Sequence, residues 1–205
     1  MQINNIGIAF GISAGPRRWA RLEEGLGWIA DQGYKLVEMN PHSVAVIVNG
    51  EVRQDVLADY VAVLNNFDLH YTIHGLNRLN LAYDPRRELC KQIMRAQLEV
   101  CQAVGAKVLV YHSGLQALDS VRYGVRRTLL SDYELLVGAE QEVAALRELG
   151  PIAANAGVLI GMENGDSHQW EHNVIAQFGR PRSDLSKHHA RLHIPPIIRK
   201  LEAID

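Results

Sequence analysis

The sequence predicts an α/β fold, a parallel sheet assembled from repeated strand–helix units. Three observations carry that expectation. Five short runs rich in β-branched and aromatic residues recur along the chain, at Ile6–Ser13, Tyr34–Glu38, Leu69–Gly75, Lys107–Gly114 and Val158–Gly165. Between them lie longer stretches with apolar residues three and four apart, the period of a helix buried along one side. The strand starts fall roughly 28 to 51 residues apart, which leaves room for a crossover helix between parallel neighbours.

Ile6–Ser13 reads as the first strand, closed by Gly15-Pro16. A helix follows over Arg17–Gln32, with Trp19, Leu22, Leu26 and Ile29 spaced as one stripe. Gly33 ends it, because glycine accepts the left-handed residue that closes many helices. After the second strand, Met39–Gly50 reads as a loop with a short apolar insert, Val44–Val48. Val52–Phe67 is helical, with Val56, Tyr60, Val63 and Phe67 on one face.

Beyond the third strand, Asp84-Pro85 is a helix start: Asp caps, and Pro sits where its missing N–H costs nothing. That helix runs to about Val104, with Leu89, Ile93, Ala96, Val100 and Val104 facing inward. Leu115–Leu130 reads as a long loop. Ser131 and Glu134 form a capping box that opens the fourth helix, which Pro151 should kink near its end. Gly165–His193 is long and polar, and Pro195-Pro196 starts a short final helix to about Ile204. No linker or low-complexity tract interrupts residues 1–205, so a single domain is expected.

The chain has 205 residues, enough for a sizeable core, and 47% of them are hydrophobic, which is ordinary for a globular protein. A formal net charge of -2 gives no bulk electrostatic reason to bind a polyanion, so nucleic acid is not an expected partner. Cys90 and Cys101 fall in one helix. Eleven residues at ~1.5 Å rise separate them by roughly 16 Å, beyond the reach of a disulfide. Reduced thiols and a cytoplasmic location are the expectation. The chain opens without a signal-peptide pattern, and no apolar run approaches the ~18 residues of a membrane span, so no membrane partner is expected.

The strand endings carry the chemistry. The second strand ends on Glu38, the third on His74, the fourth on His112 and the fifth on Glu163 and Asn164. Strand side chains alternate, so Thr72 shares a face with His74, Val110 with His112, and Gly161 with Glu163. In a parallel sheet these ends gather on one rim, where α/β folds place their ligands.

Taken together, Ile73-His74-Gly75-Leu76-Asn77 with Asn80-Leu81-Ala82, Val110-Tyr111-His112-Ser113-Gly114, and Ala156-Gly157-Val158 through Met162-Glu163-Asn164 resemble the xylose-isomerase-like TIM barrel superfamily. This group holds sugar isomerases and epimerases together with class II apurinic endonucleases. The resemblance implies a TIM-barrel-type (β/α) repeat with five units visible, an incomplete barrel, since closure takes eight strands in the common case. It also implies that Glu163 holds a divalent metal, and that His74 and His112 either join it as metal ligands, on zinc in the endonuclease branch, or line the sugar pocket, as in many isomerase-like members. The family supplies further ligands from strands six to eight, which would follow Asp205. The expectation is therefore that this sequence represents only part of such an enzyme.

Two imidazoles and a carboxylate suit zinc, whereas a more oxygen-rich set suits manganese or magnesium. Glu163 and Glu38 are the candidate catalytic carboxylates for moving a proton. Asn164 and Asn77 are candidates for sugar hydroxyls, His42 for approach from the loop after Pro41, and Trp170 for stacking on a sugar ring. Each has a plainer reading: Glu38 pairing with an arginine, the asparagines serving turns, Trp170 packing under its loop. His70 begins its strand and belongs to the opposite end. His168 and His172, and His188, His189 and His193 among Arg180, Arg182, Lys187 and Arg191, read as solvated loop.

The leading expectation is a metal-dependent sugar or sugar-phosphate isomerase or epimerase acting on a small carbohydrate. A zinc-dependent apurinic endonuclease accounts for both histidines but sits less well with the charge. A non-catalytic barrel relative, acting as a binding or assembly subunit, is the third. In that case a second copy or a swapped partner covers the open sheet edges.

Overall fold

Alternation along each strand decides how this sheet is buried. The computed structural model describes residues 7–77, 79–82, 86–112, 129–163 and 169–179, without the side chains of 169–172. Among them, β1 (Gly7–Phe10), β2 (Leu36–Met39), β3 (His70–His74), β4 (Val108–His112) and β5 (Leu159–Glu163) form one sheet in chain order. β1 pairs with β2, β2 with β3 and β3 with β4, all parallel. β5 joins β4, with the Leu159 N–H donating to the Lys107 carbonyl at 2.9 Å. The described sheet is thus α/β and open, with β1 and β5 at its edges.

The chain forms two compact units. The first comprises Met1–Leu76, Gln92–Val110 and Pro151–Gly161. It contains α1 (Arg18–Asp31), α2 (Gln54–Leu64) and most of α3 (Arg87–Val104). On one face of its strands Val37, Met39, Tyr71, Ile73 and Leu109 are buried. Helices cover that face: the Tyr71 hydroxyl donates to the Leu64 carbonyl at the end of α2, at 2.9 Å. Leu22, Leu26 and Ile29 of α1 and Val56, Tyr60 and Leu64 of α2 complete the core. Each such side chain contributes about 1.5–3 kcal/mol through burial. The rings of Trp19 and Tyr60 join α1 to α2, with centroids 6.4 Å apart. On the other face Leu36, Glu38, Thr72, His74, Val108 and Val110 are only half-buried.

The second unit comprises Asn77–Lys91, Tyr111–Gly150 and Met162–Asp205. It contains most of α4 (Asp132–Asn155) and α5 (Gln169–Gln177). The Ser131 capping box forms as the sequence predicts: Ser131 N–H donates to Glu134 Oε2 at 2.7 Å, and Glu134 N–H to Ser131 Oγ at 3.3 Å. α4 continues past Pro151 to Asn155. Buried Tyr111 donates its hydroxyl to buried Glu142 on α4, at 2.6 Å. Burial, with Glu142 beside it, holds the Tyr111 phenol well above its ordinary pKa. Arg87 pins the segment after β3 by donating to the carbonyls of Leu81 (2.8 Å) and Ala82 (3.1 Å) and to Gln141 Oε1.

Several expectations change. Val52 does not begin α2. Ile47–Val48 and Glu51–Val52 pair as a small antiparallel ribbon around Asn49-Gly50, both with positive φ, the turn that suits a tight hairpin. α3 buries Ala96 and Val100 as expected, but its buried face is wider and takes in Cys90, Met94, Gln97, Leu98 and Cys101, while Leu89 is exposed. Both cysteines are buried thiols, and burial pushes the Cys101 thiol up to about 12. Gln169–Gln177 is helical where a polar loop is expected, with Val174 and Ile175 buried. Asp84-Pro85, most of the 115–130 loop, His168, the basic stretch from Arg180 and the final helix lie outside the described residues.

Candidate functional site

β2 places Glu38 on its half-buried face, and parallel register puts Thr72 of β3 beside it. His74 follows two residues later, on the same side. Its Nδ1 lies 2.8 Å from Glu38 Oε1, and the two side chains are 24% and 29% exposed. The next residue, Gly75, donates its N–H to the Val110 carbonyl at 2.9 Å. A Cβ at Gly75 would collide with that carbonyl oxygen, so only glycine allows the backbones to meet directly after His74. At the end of β4 the His112 side chain is 4% exposed. Its Nδ1 lies 3.2 Å from Oε2 of Glu163, itself 38% exposed at the end of β5.

Each histidine is therefore paired with a carboxylate at Nδ1. Such a contact fixes a ring's orientation and leaves its other nitrogen available to a ligand. His112 and Glu163, an imidazole and a carboxylate 3.2 Å apart, are donors of the kind divalent metal ions take. His74 offers a second imidazole at the end of β3.

The remaining expected residues fall in different places. His42 lies on a 3-10 turn, Pro41–Val44, immediately after β2. Burial pushes its pKa down to about 4, so the ring is neutral at pH 7. Its Nε2 lies 2.8 Å from Nε2 of Gln97 on α3. Asn77 is exposed, on the segment after Gly75. Asn164 lies outside the described residues, and Trp170 lies in α5 with its side chain outside them. His70 is exposed at the start of β3, the opposite end from His74, as expected. Gln97 escapes a reading of the sequence, although a polar residue three after Met94 and four before Cys101 was its signal.

The chain matches the xylose isomerase-like TIM barrel family over residues 26–185. It belongs to that family. No curated protein matches it. Among solved structures, a D-psicose 3-epimerase determined in the presence of D-fructose superposes with a TM-score of 0.57 at 13% identity, over 87% of this chain and 61% of the other. A D-allulose 3-epimerase from Methylomonas sp. gives 0.60 at 15% identity, over 98% of this chain and 59% of the other. An L-ribulose 3-epimerase gives 0.59 at 16%, over 98% and 57%. The chain thus spans about three-fifths of the length of these proteins. At such identities the likeness concerns the fold. Among the described residues no helix is long and apolar enough to cross a membrane.

Proposed function

We infer that this xylose isomerase-like chain is part of a divalent-metal-dependent isomerase or epimerase of a sugar or sugar phosphate. The observation that carries the reading is the pairing of His112 with Glu163 at the ends of β4 and β5, 3.2 Å apart, with His74 ending β3. The sugar 3-epimerases that share the fold support the substrate class. Zinc or manganese suits the donors best, and magnesium would need more oxygen ligands. A bound divalent ion would supply Lewis acidity to a carbonyl and its neighbouring hydroxyl.

His74, His112 and Glu163 hold the ion in this reading. Glu38 lies outside that ligand set and is the carboxylate that moves the proton at the carbon beside the carbonyl. Its hydrogen bond to His74 keeps it in place and steadies the ring at the same time. Glu163 is the second carboxylate at the reacting group. His42, Asn77, Asn164 and Trp170 are the candidates for binding sugar hydroxyls and ring faces. Residues 1–205 are taken as one domain, working in a cytoplasm that keeps Cys90 and Cys101 reduced.

The test is incubation of the protein with D-fructose and other ketoses in D₂O, with Mn²⁺, Zn²⁺ or Mg²⁺ added in turn. Deuterium entering at the carbon beside the carbonyl, together with an epimer or aldose product, is the expected result. Neither label nor product with any ion, across a broad sugar panel, would overturn it. The imidazole pair also favours a zinc phosphodiesterase, and the same preparation cutting an abasic duplex would establish that reading instead.

A further inference from the structure

Four polar or charged side chains are fully buried among the described residues: Asn80, Gln97, His112 and Glu142. Asn80 accepts from its own turn, at Ala82 N–H, Glu142 meets Tyr111, and His112 meets Glu163. Gln97 belongs to none of these. It stands in the middle of α3 on the apolar stripe, where a leucine would pack without any polar cost. Its Nε2 reaches Nε2 of His42, 55 residues away in sequence, at 2.8 Å.

A primary amide nitrogen only donates. The Nε2 of His42 must then accept, which puts the ring proton on Nδ1. The reverse amide orientation would bury an amino group with two donors where there is now one carbonyl oxygen without a partner. The loop fixes the backbone that carries the ring. Asn40 Oδ1 accepts from the His42 N–H at 3.1 Å, and Ser43 Oγ donates to the Asn40 carbonyl at 2.7 Å. Ala45 closes the turn with φ 61, a left-handed conformation costly for alanine and kept only where the surroundings enforce it. Val44 and Val46 on either side of Ala45 are buried.

Gln97 also lies close beneath the strand ends, with Nε2 3.7 Å from where a Cβ of Gly75 would stand. The half-buried His42 ring is therefore fixed in place and in tautomer, and its Nδ1–H has no partner among the described residues. We propose that Gln97 is a positioning residue that fixes His42 as a neutral Nδ1–H donor to an oxygen of the substrate at the strand ends. The donor role rests on the sugar reading above; the tautomer does not.

Histidine-selective ¹⁵N labelling with long-range ¹H–¹⁵N correlation reads each ring's tautomer directly. Wild-type His42 is expected to be neutral at pH 7, with its proton on Nδ1. Gln97→Glu exchanges a donor for an acceptor and is expected to move the proton to Nε2. Gln97→Leu is expected to give a mixture. A wild-type His42 protonated on Nε2, or a tautomer that Gln97→Glu leaves unchanged, overturns the proposal whatever the protein turns over.

With Mn²⁺ present, adding D-fructose is expected to shift the His42 ring resonances. Both Gln97 variants should lose about tenfold in kcat/KM, the worth of one neutral hydrogen bond. Gln97→Leu combined with His42→Ala should be no worse than His42→Ala alone. If the wild type turns sugar over while the shift and the loss are both absent, the donor role fails and the isomerase reading survives. A tautomer that switches as expected in a protein that turns over no sugar supports the role of Gln97 and overturns the isomerase reading instead.

Discussion

The two faces of one sheet differ more than any two of its strands. Along β2 and β3, Val37, Met39, Tyr71 and Ile73 are buried under helices, while Leu36, Glu38, Thr72 and His74 between them are half-exposed. The backbone is the same, and alternate residues do different work. Along these two strands the covered face is apolar apart from the phenol of Tyr71, whose hydroxyl is tied to α2. The other face carries carboxylate, hydroxyl and imidazole in turn, and its ionisable groups meet one another. Stability and chemistry are thus separated by a single step along the chain.

Adjacent residues give the sharpest test of that separation. Ile73→Ala leaves a cavity on the covered face and is expected to cost about 2–5 kcal/mol in urea unfolding. His74→Ala, one residue on, is expected to change stability by less than about 1 kcal/mol while abolishing the rise in Tm that added Mn²⁺ or Zn²⁺ produces. Equal losses of stability in the two variants would break the division between the faces.

A smaller effect is expected where a polar pair has been taken into the covered side. Tyr111→Phe removes the donor to the buried Glu142 carboxylate and should cost about 1–3 kcal/mol, read as a lowered urea midpoint. An unchanged midpoint would mean that the pair packs without contributing net stability.

The pH dependence of stability sharpens the comparison further. His42 titrates near 6.5 in the unfolded chain and at about 4 when folded. Above pH 6.5 neither state binds the proton, and the group has no effect. As pH falls below 6.5 the unfolded state binds it first, so stability drops until about pH 4, where the loss levels off. At pH 5 the penalty is up to about 2 kcal/mol. His42→Asn should flatten the urea midpoint between pH 6.5 and 4, and a wild-type slope in that variant would count against a buried neutral ring. The smallest effect belongs to the surface. Lys35→Met breaks the contact with exposed Asp68, at 3.0 Å, and is expected to leave the midpoint where it was.

Much of this arrangement was legible in the chain. Glu38, His74, His112 and Glu163 are conspicuous because each ends an apolar run, where a polar group needs a partner or water. The capping box at Ser131 is local chemistry and forms as read. What escaped depends on distant partners. α3 buries Ala96 and Val100, which the apolar period shows, and also Gln97, which it does not. Gln97 is buried against His42 from another part of the chain, a contact no helical period encodes. The ribbon around Asn49-Gly50 was different: its signal was present, but strands of two residues are too short for alternation to show. α5 was hidden for a similar reason, since nine residues with few apolar side chains give a helical period little to work on.

The seam at Gly75 has a consequence for how such a site can change over generations. His74 stands on the half-buried face of the sheet, where another side chain could take its place at the cost of the contact with Glu38. Its successor admits none, because the Val110 carbonyl already fills the space a Cβ would need. Variation can therefore exchange the group this strand end presents far more readily than it can relocate that group, so new chemistries inherit the old address.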